Sequence, residues 1–216
     1  MKKYDFLWVL ILLAIFTFLI YPSTNAIFNA TTAAHPYLMA FAKFFILASM
    51  GELLAMRIVI GDWKKPVGLI YRAIVWGLIG MLVVLIFTVF AGGVGVAIKT
   101  GLLPSFGGSF GPAFLTSFVL CVIFCPMFMG AHRITDTYID LGQGNLGQIF
   151  KVKLSDVVAK IDWYGFISFV LFKTVPIFWI PAHTITFMLP PQYRVLFAAF
   201  LSIALGGILS FAKRKK

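Results

Sequence analysis

Apolar residues fall into six long runs, near 6–21, 37–60, 66–90, 113–131, 164–187 and 194–212, separated by short polar stretches. A helix needs about 20 predominantly apolar residues to cross the hydrocarbon core of a bilayer, and the runs are close to that length. The pattern predicts an all-α, polytopic membrane helix bundle with six transmembrane helices, forming a single domain over 1–216.

The chain is 61% hydrophobic and only 12% charged, with a mean hydropathy of +1.00. Soluble domains average about 25% charged residues, so too little polar surface remains to cover a water-soluble globule. The 24 Phe and 5 Trp suit lipid-facing helices with aromatic ends at the interfaces. The net charge of +11 does not indicate a nucleic-acid binder. The basic residues lie in short loops between apolar runs, with no basic-aromatic face or helix-turn-helix pattern.

Those loops set an orientation. With the N-terminus cytoplasmic, only Lys99 and Arg194 fall on the outer side, and Lys43 and Lys173 lie within spans; the other fourteen of the 18 Lys and Arg are cytoplasmic. The positive-inside rule selects this arrangement and an even number of spans, with both termini cytoplasmic. The first run also resembles a secretory signal peptide, with MKK, an apolar core and PSTNA. Its core is long for that role, and we read it as a retained span.

Two connections are longer. Residues 91–112 are Gly-rich and nearly uncharged and read as a flexible outer loop. Ile98 precedes Lys99, so the GxxxxGK[ST] phosphate pattern fails. In 132–163, KLSDVVAKIDW predicts a short helix on the membrane surface, anchored by Trp163.

Candidate chemistry lies in the ionisable residues at depth. Glu52 is the only glutamate and sits inside the second run. An intramembrane charge is expensive and must face a partner or an aqueous cavity. At 1.5 Å per residue, Glu52 lies roughly 12 Å from the cytoplasmic end, Arg72 roughly 9 Å and Lys173 roughly 15 Å. Glu52 and Arg72, on neighbouring antiparallel helices, are the expected pair, with Lys173 as a third member. Lys43 is nine residues from Glu52, on the opposite helix face, where it is expected to share an outer polar pocket with His183. Pro176 and Pro181 are expected to kink or break the fifth span, exposing polar groups around Lys173, Thr174, His183, Thr184 and Thr186. Substrate or pore contacts are therefore expected from Glu52, Arg72, Lys173, His183, Thr186 and Lys43.

Other residues read as structural. Cys121 and Cys125 read as small packing residues. His132, Asp136 and Asp140 are spaced four apart, conceivable for a metal, but read as a solvated helix end; no metal site and no cofactor are expected. Gly77, Gly80, Gly206 and Gly207 permit close helix approach. No nucleophile–base set, GxSxG or HExxH motif occurs, so an enzyme is not expected; a lipid-acting one is the weakest reading.

Three stretches resemble the Mpv-seventeen and peroxisomal-membrane-protein-twenty-two family. ASMGELLAMR resembles a small-residue helix carrying Gly-Asp followed by Gln; Gly51 and Glu52 stand at the Gly-Asp, and Met56 where the Gln would be. DWKKPVGLIYRAIVWGLIG is similar to the stretch that follows, through Asp62, Arg72, Gly77 and Gly80. FWIPAHTITFMLPPQYRVLFAAFLSIALGGILS resembles the C-terminal signature, with a one-residue shift, through Trp179, Pro181, His183, Thr186, Phe187, Pro190, Arg194, Leu209 and Ser210. His and Thr replace Gln and Asn of the signature, and the groups expected after Gly80 and before the fourth span are missing. The resemblance covers roughly residues 45–212 and implies a small non-catalytic channel or transporter. The basic start without an Arg-rich transit segment points to a bacterial cytoplasmic (inner) membrane.

The function expected is passage of ions or small metabolites past a polar intramembrane site. The alternative is a non-transporting scaffold or interaction protein whose buried charges only hold helices together. Expected partners are the lipid bilayer, a small solute or ion and further copies of the chain in a homo-oligomer, but no nucleic acid.

Overall fold

Proline and glycine punctuate the helices. Pro22, Pro36 and Pro191 each stand at the first residue of a helix, where the missing N–H has no intrahelical partner to lose. Gly61 and Gly68, at φ 77° and 63°, close one helix and open the next in a left-handed conformation that favours glycine. The computed structural model describes residues 2–214, with side chains as far as Ile208. The side chains of Leu209 and Ser210 of the C-terminal pattern, and of the basic 213–216 stretch, lie outside the described residues.

The helices are α1 (Lys3–Ile20), α2 (Pro22–Ala34), α3 (Pro36–Ile60), α4 (Leu69–Lys99), α5 (Phe110–Leu141), α6 (Leu146–Ile149), α7 (Leu154–Lys160), α8 (Trp163–Met188) and α9 (Pro191–Arg214). Among the described residues there is no strand. Six helices, α1, α3, α4, α5, α8 and α9, are long and apolar enough to cross a membrane. The molecule is an all-α polytopic bundle.

Several boundaries differ from the sequence reading. α4 continues through Gly92, Gly93 and Gly95 to Lys99, so much of the expected outer loop is helix. These glycines face open space; each costs only about 1 kcal/mol in helix propensity, against the several kcal/mol of each unsatisfied backbone group in lipid. α5 runs ten residues beyond the apolar stretch, to Leu141. α2, between the first two apolar runs, is a helix whose Phe28 is buried.

The fifth span stays helical from Trp163 to Met188 rather than breaking. Its first three residues are α-helical, Phe166–Trp179 forms a π-helix, and an α-helix resumes at Ile180. The wider turn accommodates Pro176, and Pro181 falls in the first turn of the resumed α-helix, where proline is tolerated. The Ile180 carbonyl accepts from Ser117 Oγ at 2.7 Å and from Thr184 Oγ1 at 2.8 Å, which joins α8 to α5.

α3 is the spine, packing most extensively on α4 and α9. Small residues permit this. A Cβ on Gly51 would stand 2.9 Å from the Ser202 carbonyl of α9, and one on Gly206 would stand 3.0 Å from the Gly51 carbonyl. A Cβ on Gly77 would meet the Phe41 ring, and one on Gly80 the Ala40 carbonyl. Gly207, also expected at a contact, faces open space. Cys121 and Cys125 are free, buried, and packed with Val175.

α1 has no buried residue. A stripe of Trp8, Leu12, Ile15 and Leu19 rests on the core, and a polar clasp fixes one end. Arg57 donates to both oxygens of Asp5 at 2.8 and 3.0 Å, Trp63 Nε1 donates to Asp5 at 2.7 Å, and Lys2 pairs with Asp62 at 2.8 Å. Lys2 and the Trp63 backbone N–H hold the Asp62 carboxyl below the usual carboxylate range. Gly68, at the start of α4, abuts Ile139 and Gly144 at the end of α5, whereas Asn29 of α2 meets Tyr193 at the start of α9; this fits the alternation that the basic loops predict. The short helix expected before the fifth span is α7, with Val157 fully buried and Trp163 Nε1 donating to the Val158 carbonyl at 3.0 Å.

Gly51→Ala is expected to destabilise the bundle by about 1–3 kcal/mol, the usual range for overpacking, while Gly207→Ala is neutral or slightly stabilising. Thermal unfolding of the two variants in detergent checks the contrast.

Candidate functional site

Three helices bring their polar residues together on one side of the bundle, toward the end where α3 and α5 finish and α4 begins. Glu52 comes from α3, Arg72 and Trp76 from α4, and His132, Asp136 and Asp140 from α5. Trp76 Nε1 donates to Glu52 Oε1 at 2.7 Å. The His132 ring lies against the Trp76 indole, centroids 4.3 Å apart, and its Nδ1 is 3.5 Å from Asp136 Oδ2. One ligand-type atom from each of Glu52, His132 and Asp136 lies within 4.8 Å of the others.

Arg72 forms the floor. Its Nε donates to the Val67 carbonyl at 2.9 Å and its Nη2 to Asp140 Oδ1 at 2.6 Å. Its Nη1 stands 2.9 Å from Asp136 Oδ1, a charge contact without the alignment of a hydrogen bond. Two buried atoms of the cluster lack a hydrogen-bond partner, Asp136 Oδ1 and His132 Nε2, as do Asn29 Oδ1 and Trp179 Nε1 elsewhere among the described residues. Buried polar atoms are satisfied in the large majority of cases, so two in one cluster mark a place with unused coordinating capacity.

Three expectations about this region change. Arg72 does not pair with Glu52; it binds Asp136 and Asp140, and Glu52 takes the indole N–H instead. The cause is that α5 stays helical past the apolar run and delivers two carboxylates to Arg72. Lys173 does not join the group: it is exposed on the π-helical surface of α8. His132 and Asp136 are not a solvated helix end, since their side chains retain only 19% and 16% exposure; Asp140, at 57%, does reach solvent.

The outer half holds the remaining candidates. Lys43 is buried, donates to Thr32 Oγ1 at 3.1 Å and sits 4.5 Å above the centre of the Phe28 ring. His183 is buried against Trp179 and Phe87, with ring centroids at 5.2 and 5.4 Å. Thr186, fully buried, donates to the Ala182 carbonyl at 2.9 Å, and its Oγ1 lies 3.5 Å from His183 Nδ1. No described contact joins Lys43 to His183; Lys43 turns to Thr32 and Phe28 of α2, and His183 to Phe87 and Trp179.

Sequence reasoning missed Trp76. The available signal was that its spacing of four from Arg72 puts both on one face of α4, toward Glu52. Of the described clefts, one of about 280 Å³ lies beside Asp5, Trp8, Arg57 and Trp63, and another of about 490 Å³ beside Tyr71, Thr135, Ile149 and Phe150. Neither is lined by the Glu52–His132–Asp136 group.

Fold and site together define a polytopic α-helical membrane protein with a polar cluster between its spans. Comparison with known protein families, with curated proteins and with solved structures finds no match for the chain.

Arg72→Met strands Asp136 and is expected to cost about 3–5 kcal/mol, as removal of one partner from a buried ion pair does. Adding Asp136→Leu should recover part of the loss. Thermal unfolding of the single and double variants provides the check.

Proposed function

We propose that the chain is a channel or transporter for ions or small metabolites, with Glu52, His132 and Asp136 as its intramembrane polar site. The observation that carries this reading is the buried His132 Nε2, which has no hydrogen-bond partner, in a group with Glu52 and Asp136 between the spans. Ionisable residues inside spans mark ion and substrate pathways more often than other positions do. Closure of the group from both clefts favours a gated carrier over a standing pore.

The outer polar residues Lys43, His183 and Thr186 lie about 13 Å or more along the spans from this cluster, which fits a second polar layer on the same route. The resemblance to the Mpv-seventeen and peroxisomal-membrane-protein-twenty-two family supports the same class, and the basic N-terminus supports a bacterial cytoplasmic membrane. The Arg72 clamp, with its two carboxylates and one carbonyl, is what a non-transporting scaffold would use, and it is the feature that favours that second reading.

Wild-type protein in liposomes is expected to carry ions or small metabolites above empty vesicles, and folded Glu52→Gln to lower that flux severalfold. Absence of flux from folded wild type would remove the transport reading and leave the scaffold.

A further inference from the structure

The geometry points to a site for one first-row divalent transition-metal ion held by Glu52, His132 and Asp136. This deepens the transport reading, on which it rests for its role, by naming the class of ion the cluster takes. The donor set is one imidazole nitrogen and two carboxylate oxygens, Glu52 from α3 and His132 and Asp136 one turn apart on α5. Atoms within 4.8 Å of one another all lie no more than about 2.8 Å from a common point, and side-chain movement of under about 1 Å brings them to the roughly 2.1 Å of a zinc–nitrogen or zinc–oxygen bond.

Three independent features agree with an ion there. His132 Nε2 is buried and lacks a hydrogen-bond partner, although it is a metal ligand by type; Asp136 Oδ1, also without a hydrogen bond, is held only by charge contact with Arg72. Glu52 is already oriented through one oxygen by the Trp76 indole, as outer-shell donors orient ligating carboxylates; its second oxygen makes no described hydrogen bond. The charges agree in sign. Three carboxyls, Glu52, Asp136 and Asp140, stand near two guanidiniums: Arg72, which pairs with Asp136 and Asp140, and Arg133, whose charge also acts on Asp136. The excess of one formal negative charge attracts a cation.

The chemistry selects among cations. An imidazole ligand suits zinc, iron, nickel and copper, while magnesium and calcium prefer all-oxygen sites. Arg72 keeps Asp140 and the Val67 carbonyl when Asp136 turns toward the ion, so filling the site does not strand the guanidinium.

The test is metal binding by the purified full chain in lipid nanodiscs, titrated with Zn²⁺, Mn²⁺, Mg²⁺ and Ca²⁺ and read by calorimetry and by bound-metal analysis. One Zn²⁺ per chain is expected, with a raised unfolding temperature and a much weaker response to Mn²⁺, Mg²⁺ and Ca²⁺. Folded Glu52→Gln, His132→Gln and Asp136→Asn should each lose the ion, Trp76→Phe should bind roughly tenfold more weakly, and Asp156→Asn, on the exposed face of α7, should bind as wild type. Because a ligand variant can fail to fold, X-ray absorption of Zn²⁺-loaded wild type provides a second readout, with one nitrogen and otherwise oxygen neighbours expected. No binding by wild type, binding that persists in folded Glu52→Gln, or a sulfur neighbour from Cys121 or Cys125 would overturn the site. Metal binding without flux would retire transport and keep the site; flux without metal binding would do the reverse.

Discussion

The arrangement depends on how near α3 can come to α4 and α9. Gly51, Gly77, Gly80 and Gly206 remove the side chains that would hold those helices apart, and in lipid there is little hydrophobic force between helices to compensate for poor contact. The close approach also builds the polar site. Glu52 follows Gly51 directly, and Trp76 precedes Gly77, so the glycine contacts that join α3 to its neighbours set down a carboxylate and an indole N–H within 2.7 Å. Packing and chemistry here are one geometric decision.

Arg72 extends that decision to a third helix. It ties the start of α4 to the end of α5 through Asp136 and Asp140 and caps the loop through Val67. A guanidinium serves this better than an ammonium because its donors are fixed in a planar fork and stay charged. The carboxylate it half-satisfies, Asp136, is the one that also faces His132. The clamp therefore leaves the inner edge of the cluster polar and under-coordinated while its outer edge is closed.

The six spans, the alternation of their ends, the short helix α7 and the glycine contacts at positions 77, 80 and 206 were legible from hydropathy, charge and spacing, because these follow from the bilayer and from local sequence. The site was half legible. Glu52 and Arg72 announce themselves as charges at depth, but their partners do not. Hydropathy ends the fourth span near 131, whereas the backbone continues to Leu141 because helix bonds are worth keeping beyond the apolar stretch. That extra length moves His132 and Asp136 from an assumed solvated end into the interior. The fifth span shows the opposite difficulty: two prolines predict a break, and a π-helical segment absorbs them, a choice made by backbone bonding and packing on α5 that residue spacing alone does not reveal.

The glycine contacts carry a consequence for descent. Where a Cβ would strike backbone, as at Gly51 and Gly80, kin of this protein have almost no freedom to drift, while Gly92, Gly93, Gly95 and Gly207, which touch nothing within 4 Å, are free to be replaced. Kinship at low overall similarity should then survive as a sparse signature of small residues at fixed helical intervals, each flanked by the polar residue it positions, rather than as a continuous stretch of matching sequence.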